Sequence, residues 1–378
     1  MSVSLRELRP IYVIGVGMHR YQFASETLYI DLGLTAVRAA LADAKLAWPQ
    51  VESAYVGTTG IGMAAGRVLF RHLGSSGLAV TQVENASASG SSAFAAACLD
   101  VAAGRSEVSL ALGVDKYGDQ KRAVEKEGLG RLSQASTIPL VKYALMARRR
   151  GIKAEEMALV AVKNHNNASK NPFAQFQKPR SLEQVMASAR VAGELTALQC
   201  CPRGDGGAAA IVVSEPALAA LGLDRSRAIR VLASTLRSEQ LPVGHEVPSV
   251  TLAREVAQRA YQEAGITAND LDVVELHDAF SIEEIVYTEA FGLCPEGQGV
   301  RFLLDGGSAI GGRCAVNSSG GLIAQGHPLG PTGIGQIHEI VRQLRGENGE
   351  RQQPNARTGM AHMIGLGAIA IAHVLQRV

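Results

Sequence analysis

At ~150 residues per domain, the 378 residues of this chain amount to about two and a half domains, which excludes a single small compact unit. Lys+Arg 37 against Asp+Glu 35 excludes recruitment of nucleic acid or an anionic membrane by bulk charge, so the expected partner is a small molecule. Apolar residues at 47% and charged residues at 19% exclude extended disorder. The 41 glycines beside 4% aromatics point to closely packed small residues, not to a base-stacking platform.

Met1 to Pro10 lacks the apolar run of about 7–15 residues that marks a secretory signal. Residues 11–16 are a β-branched run closed by Gly17 and read as a strand; residues 28–46 repeat Leu, Ala and Val at helical spacing. A second short strand over 51–57 leads into a stretch punctuated by Gly60, Gly62 and Gly66. The run 91–104 (SSAFAAACLDVAAG) is almost wholly small or apolar, so the helix it predicts is buried all round. Residues 108–113 then make a central strand. The most apolar segment, 358–374, is interrupted by His362 and His373 and falls short of the ~20 residues that span a bilayer; it reads as one buried strand with flanks, and no membrane association is expected. Cysteines at 98, 200, 201, 294 and 314 are odd in number and lack Cys-x-x-Cys spacing, so neither a disulfide framework nor a metal site is predicted, and the expected compartment is the cytoplasm.

The chain repeats itself. Ala40-Leu41-Ala42-Asp43-Ala44 stands before Val51 as Ala260-Tyr261-Gln262-Glu263-Ala264 stands before Leu271, at a constant offset of 220. Strand (11–16; 229–234), helix (28–46; 251–265), strand (51–57; 271–276), Gly/Ser loop (85–92; 317–326), helix and final strand (108–113; 364–372) recur in both halves. An α/β protein of two duplicated halves follows: 1–119, an excursion over 120–215 that rejoins the first half at its end, and 216–378.

Three loops carry candidate chemistry. Val83 to Ala93 (VENASASGSSA) sets small polar side chains just before the buried helix, where free N–H groups and the helix dipole stabilise an anion. A helix cap is the plainer alternative for a serine there. Gly326-His327-Pro328-Leu329-Gly330 holds an imidazole on a rigid turn suited to proton transfer, or to a structural bond with a backbone carbonyl. His277 follows an apolar strand, at the sheet edge where open α/β folds bind ligands.

Together with NPFAQFQKP (171–179), GDGGAAA (204–210), ELHDAF (275–280), NSSGGLIAQGHPLGPTG (317–333) and HMIGLGAIA (362–370), these segments resemble the thiolase superfamily over essentially the whole chain, most closely its sterol-carrier-protein-type and archaeal branch. The resemblance implies a five-layered αβαβα thiolase fold, a homodimer, and acyl transfer that cleaves or forms the C–C bond of a 3-oxoacyl-CoA. CoA then serves as acyl acceptor and substrate; no covalently bound cofactor is implied. It puts the nucleophile at Ser87, where thiolases have Cys, the activating imidazole at His327, and a second imidazole, helping to bind the thioester oxygen, at His277. The amides of Ser87 and Gly365 are implied as oxyanion donors. The second, acid/base thiol of the family is missing, its counterparts being Met363 and Ala279.

His-Asp-Ala-Phe further resembles thiolases that work with a small zinc-ribbon OB-fold companion, so such a partner is expected. For the nucleotide end of CoA, Lys142, Arg148, Arg149 and Arg150 offer positive charge, as do Lys163, Lys170 and Lys178, although a solvated helix face is an equal alternative. A hydroxyl is far harder to ionise than a thiol, and its oxygen ester returns an acyl group to CoA only uphill, so thiolysis through Ser87 is expected to be impaired. An engineered Cys→Ser replacement at position 87 is the favoured explanation. A retro-aldolase or decarboxylase without a covalent intermediate and a non-catalytic scaffold subunit are the alternatives.

Overall fold

The computed structural model describes residues 4–117, 138–240, 248–366 and 369–378, so the first part of the predicted excursion and part of the HMIGLGAIA segment lie outside the described residues. β1 (Ile11–Gln22), β2 (Ser53–Gly57), β3 (Ala79–Val83) and β4 (Val108–Asp115) belong to the first half; β5 (Arg190–Ala192) and β6 (Leu195–Thr196) form a small hairpin in the excursion. β7 (Asp205–Ser214) returns the chain to the first sheet. The second half supplies β8 (Ile229–Ser238), β9 (Val273–Glu275), β10 (Ala315–Val316), β11 (Thr358–Gly365) and β12 (Ile369–Arg377).

The first sheet runs β1-β7-β4-β2-β3 and the second β8-β12-β11-β9-β10, the same permutation of first, fifth, fourth, second and third strand. Parallel and antiparallel pairings repeat as well: β2 is parallel to β3 and β4, β9 is parallel to β10 and β11, and the other neighbours are antiparallel. The sheets meet at β1 and β8, where Tyr12 pairs with Arg230 and Val13 with Ile229. Helix Tyr29–Ala44 covers the outer face of the first sheet and helix Pro248–Ala264 that of the second. Helices Ser89–Ala102 and Leu329–Arg345 fill the layer between. This is the five-layered αβαβα thiolase fold. With both faces covered, β4 and β7 are buried along their whole length, which is why they read as continuous apolar runs without alternation.

Two expectations change. The segment 358–374 is not one strand but the hairpin β11–β12, turning after Gly365 at Leu366, whose φ of 51° is left-handed. Both strands are buried, so no polar residue marks the reversal. The counterpart of β4 is therefore β11, not residues 364–372. The helix Ser89–Ala102 is buried except on one side, where Leu99 is 56% exposed.

The small residues of the middle layer let backbones touch. A Cβ on Gly90 or Gly113 would overlap the carbonyl oxygen of Gly330, and one on Gly330 would lie 2.7 Å from the Gly57 oxygen. The start of helix Leu329–Arg345 is thereby pressed onto the start of helix Ser89–Ala102, and Asp115, at the end of β4, accepts the Gly330 N–H at 2.6 Å. That crossing brings a loop of the second half over the first.

Beneath the same loop lies a buried polar network. Arg351 donates to Glu339 Oε1 at 2.5 Å and to the Ser318 carbonyl at 2.9 Å. The single hydroxyl proton of Ser318 faces both Glu339 Oε1 at 2.9 Å and Glu275 Oε1 at 3.1 Å. Glu339, also receiving Asn348 and Gln343 amide protons, is the anion paired with Arg351, so Glu275 is the carboxyl that holds a proton. Burial, then the Glu339 charge, pushes Glu275 up to about 7. Unfolded glutamate titrates near ~4.3, so between those values the folded chain binds the extra proton, and the stability it confers is lost as pH rises towards 7. Glu275→Gln should therefore melt above wild type at about pH 8 and draw level with it only below about pH 4, where glutamate is neutral in the folded and the unfolded chain alike.

Candidate active site

The turn ahead of helix Ser89–Ala102 is tied by its own side chains. Ser89 Oγ accepts the Asn85 N–H at 2.9 Å and donates to the Ala86 carbonyl at 2.6 Å; Asn85 Nδ2 donates to Ser92 Oγ at 2.7 Å. Ala86 sits at φ 49°, a left-handed conformation that costs a non-glycine residue about 1 kcal/mol or more. The strained turn lifts the next residue, Ser87, away from the backbone. Its hydroxyl does not cap the helix; it faces His327 Nε2 at 3.1 Å, and Ser87 is 7% exposed.

His327 reaches that place on a turn only glycine permits. Gly326 has φ 107°, and a Cβ there would overlap Gln175 Oε1. The NPFAQFQKP segment braces the turn from behind, the Gln175 and Phe176 amides donating to the Gln325 and Ala324 carbonyls at 2.8 and 3.1 Å. Thr332 Oγ1 donates to the Pro328 carbonyl at 2.5 Å, so towards His327 Nδ1, at 2.9 Å, it can only accept. The proton of the imidazole is thus on Nδ1, and Nε2 accepts from Ser87. Burial, then the neighbouring His277, keeps His327 well below the usual imidazole range, so it is neutral at pH 7.

His277 follows β9. Its ring stands perpendicular to that of His327 with centroids 5.6 Å apart, and its Nδ1 lies 3.4 Å from Glu283 Oε1. The flanking residues fix the turn: Leu276 N–H donates to Asn317 Oδ1 at 2.9 Å, and Asp278 accepts the Leu322 N–H at 2.6 Å. Gly365, ending β11, lies against the Ser87 turn, since a Cβ on it would overlap the Asn85 carbonyl oxygen. Met363 is buried against Ala88 and Ile371.

The structure thus gathers Ser87, His277, His327 and the backbone of Gly365. Among the described residues, none of the predicted cations bonds to these groups. Lys142, Arg148 and Arg149 are exposed on helix Ile138–Arg150, and Arg150 is paired with Glu289 at 2.7 Å. Lys163 is taken by Glu284 at 3.0 Å, and Lys170 pairs loosely with Glu350 at 3.6 Å.

Sequence reasoning passed over Thr332, Glu283 and Asp115, which act through other groups and carry no motif of their own. It also passed over a thiol: the Cys201 N–H donates to the Ala279 carbonyl at 2.8 Å, which places Cys201 beside the position where the resemblance puts a second cysteine. Burial, then Cys200 and the carboxyls of Glu283 and Asp278, pushes that thiol well up, away from thiolate. Thr332→Val keeps the shape but removes the acceptor for Nδ1–H; freeing the tautomer should cut whatever rate depends on His327 by about 10-fold, visible as a fall in kcat at unchanged KM.

Profiles of known families match both halves: the thiolase N-terminal domain over residues 13–216 and the thiolase C-terminal domain-like family over 237–377. Sterol carrier protein 2 of Homo sapiens is 38% identical over 96% of this chain and 71% of its own length. Benzoylsuccinyl-CoA thiolase subunit BbsB of Thauera aromatica is 36% identical over 96% of each chain. An acetyl-CoA acetyltransferase of Methanothermobacter thermautotrophicus is 35% identical over 98% of this chain and all of its own. Among solved structures, the Ltp2-ChsH2(DUF35) aldolase superposes with TM-score 0.84 at 23% identity over 98% of both chains. Human mitochondrial 3-ketoacyl-CoA thiolase does so at 0.75 and 17%, over 98% and 99%. With both family profiles in place over the folded halves, the chain belongs to the thiolase family, in its sterol-carrier-protein-type branch.

Proposed function

We propose that this protein makes or breaks a C–C bond beside an acyl-CoA thioester, as a thiolase-type acyltransferase acting between a 3-oxoacyl-CoA and CoA with Ser87 at the nucleophile position. The observation that carries this reading is the 3.1 Å bond from Ser87 to the acceptor nitrogen of His327, made at the N-terminus of a buried helix. His327 Nε2 takes the hydroxyl proton as Ser87 attacks the carbonyl. The amides of Ser87 and Gly365 receive the oxyanion, a role that needs no side chain. CoA as substrate is supported by the solved human thiolase in complex with CoA. Lys142, Arg148 and Arg149 remain the candidates for its phosphates. A homodimer, a cytoplasmic location and a small zinc-ribbon OB-fold companion belong to the same proposal; the solved Ltp2-ChsH2(DUF35) aldolase supports a companion by its two-protein name.

One feature favours a second reading. Serine nucleophiles rely on a histidine whose far nitrogen faces a carboxylate, which steadies the imidazolium. Here that nitrogen faces the neutral Thr332 hydroxyl. Ser87 is therefore a weakly driven nucleophile, and acid/base cleavage without a covalent intermediate, as in a retro-aldolase, fits the same groups. A panel of 3-oxoacyl-CoA and 3-hydroxyacyl-CoA substrates separates the two, run with and without free CoA and with the companion added. Turnover of the 3-oxo substrates that requires CoA supports acyl transfer, and turnover of the 3-hydroxy substrates without CoA supports the aldolase. If His327→Ala leaves the rate unchanged instead of lowering it by about 10²-fold, the site is not catalytic and a scaffold role stands.

A further inference from the structure

We infer that Glu283 is the positioning residue of His277 and makes that imidazole, not His327, the group that hands a proton to the carbon released on C–C cleavage. The inference rests on the C–C bond chemistry proposed above and holds for both of its forms. In either, the bonding pair collects on the α-carbon of a departing acyl-CoA as an enolate, which must be protonated. The thiols that the resemblance assigns to this task are absent at Ala279 and Met363. His327 is poorly disposed for it: Nδ1 is fixed on Thr332, and Nε2 is engaged by Ser87, whose proton it must keep for return when the acyl group leaves.

His277 is differently equipped. Its Nδ1 is buried and has no hydrogen-bond partner among the described residues, yet Glu283 Oε1 waits 3.4 Å away. That carboxyl is held firmly. Its Oε2 accepts the Phe280 N–H at 3.0 Å and its Oε1 accepts the Tyr287 hydroxyl at 3.1 Å. Having given its proton to Glu283, Tyr287 must accept from Tyr143, 2.7 Å away, and Tyr143 in turn from Ser249, also at 2.7 Å. Ser249, Tyr143, Tyr287 and Glu283 are all buried. Every donor in this chain points towards the carboxyl, and such chains polarise one another.

A small swing of the ring closes Nδ1–H onto Glu283 and leaves Nε2 for the substrate. The proton balance is then complete. The α-carbon pair forms a C–H bond with the proton of His277 Nε2, whose bonding electrons stay on the nitrogen while Nδ1–H remains on Glu283. The proton that the substrate hydroxyl or the CoA thiol gives up restores the imidazolium.

The other titratable groups around the pair supply no competing charge. His362, on β11, and His327 are held well below the usual imidazole range by burial. Burial pushes the Cys200 thiol up to about 12 and raises the Cys201 thiol and the Tyr143 and Tyr287 hydroxyls well above their usual values. Asp278 is likewise raised by burial and the nearby Glu284, and is bonded to Asn164 at 2.8 Å.

The test is the tautomer read by NMR in the full-length protein labelled at histidine Cε1 and ring nitrogens, with His277→Asn identifying the signal. The expected result is an Nδ1–H tautomer for His277, which Glu283→Gln should shift towards Nε2–H by about 10-fold. Tyr287→Phe should move it the same way by less, and the His327 signal should stay put. With a substrate in hand, Glu283→Gln should lower kcat by about 10²-fold at unchanged KM. An Nε2–H tautomer in the wild-type protein, or a His277 tautomer ratio that is the same in both folded variants, would overturn the inference. Should no substrate turn over, the proposed function fails, yet the tautomer still decides the Glu283–His277 pairing.

Discussion

Ser87→Cys should raise CoA-dependent cleavage of a 3-oxoacyl-CoA by about 10²-fold or more. The receiving geometry is already in place, because Nε2 of a neutral imidazole faces the side chain at 3.1 Å and the helix N-terminus lies directly behind it. A free thiol titrates near ~8.5 and is lowered by such surroundings, so thiolate and imidazolium form together at neutral pH. Burial acts the other way, as it does on Cys98, which it raises well above its usual value. Unlike Cys98, position 87 has an imidazole at hydrogen-bond distance and remains 7% exposed. The acyl group is then carried as a thioester, which CoA can accept at little free-energy cost. Adding His327→Ala to the cysteine variant should remove the gain. If Ser87→Cys is no faster across the panel, position 87 does not carry the acyl group and the non-covalent reading is the one that stands.

Arg351→Ala should be among the most destabilising single changes, at about 3–5 kcal/mol, because it leaves the Glu339 charge buried without its cation. Arg351 is 3% exposed, and its guanidinium also holds the Ser318 carbonyl. Losing that bond loosens the Asn317–Gly321 loop, which leads within a few residues to His327, so activity should fall along with the melting temperature. Replacing Arg351 by Met together with Glu339 by Leu should recover most of the loss, since a buried pair exchanged for apolar side chains of similar volume is often neutral. A double variant no better than the single one would mean that Arg351 acts through Ser318, not through Glu339.

The duplicated fold was open to sequence reading because equivalent strands and helices recur at a fixed offset and the motifs stand at equivalent strand ends. Ser87, His277 and His327 show themselves for a related reason: each lies beside glycine or small residues that a tight turn requires, so chemistry and local geometry are written in the same few letters. Glu283 does not, because an acidic residue in the first turn of a helix reads as a favourable dipole contact, and only the fold turns it inward beside Tyr287. Thr332 is hidden in the same way inside the first turn of helix Leu329–Arg345. Arg351 and Glu339 look like solvated charges 12 residues apart, while the structure buries both. The hairpin of β11 and β12 escapes because two buried apolar strands reverse at Leu366 with no polar break in the sequence.

The central claim is that Ser87, His277 and His327 face one acyl-CoA thioester. The most direct measurement is a crystal structure of the protein with a non-cleavable 3-oxoacyl-CoA analogue. The account predicts the thioester carbonyl within ~3 Å of Ser87 Oγ, with the α-carbon facing His277 Nε2. A thioester bound away from all three side chains, with the CoA moiety ordered, would contradict it.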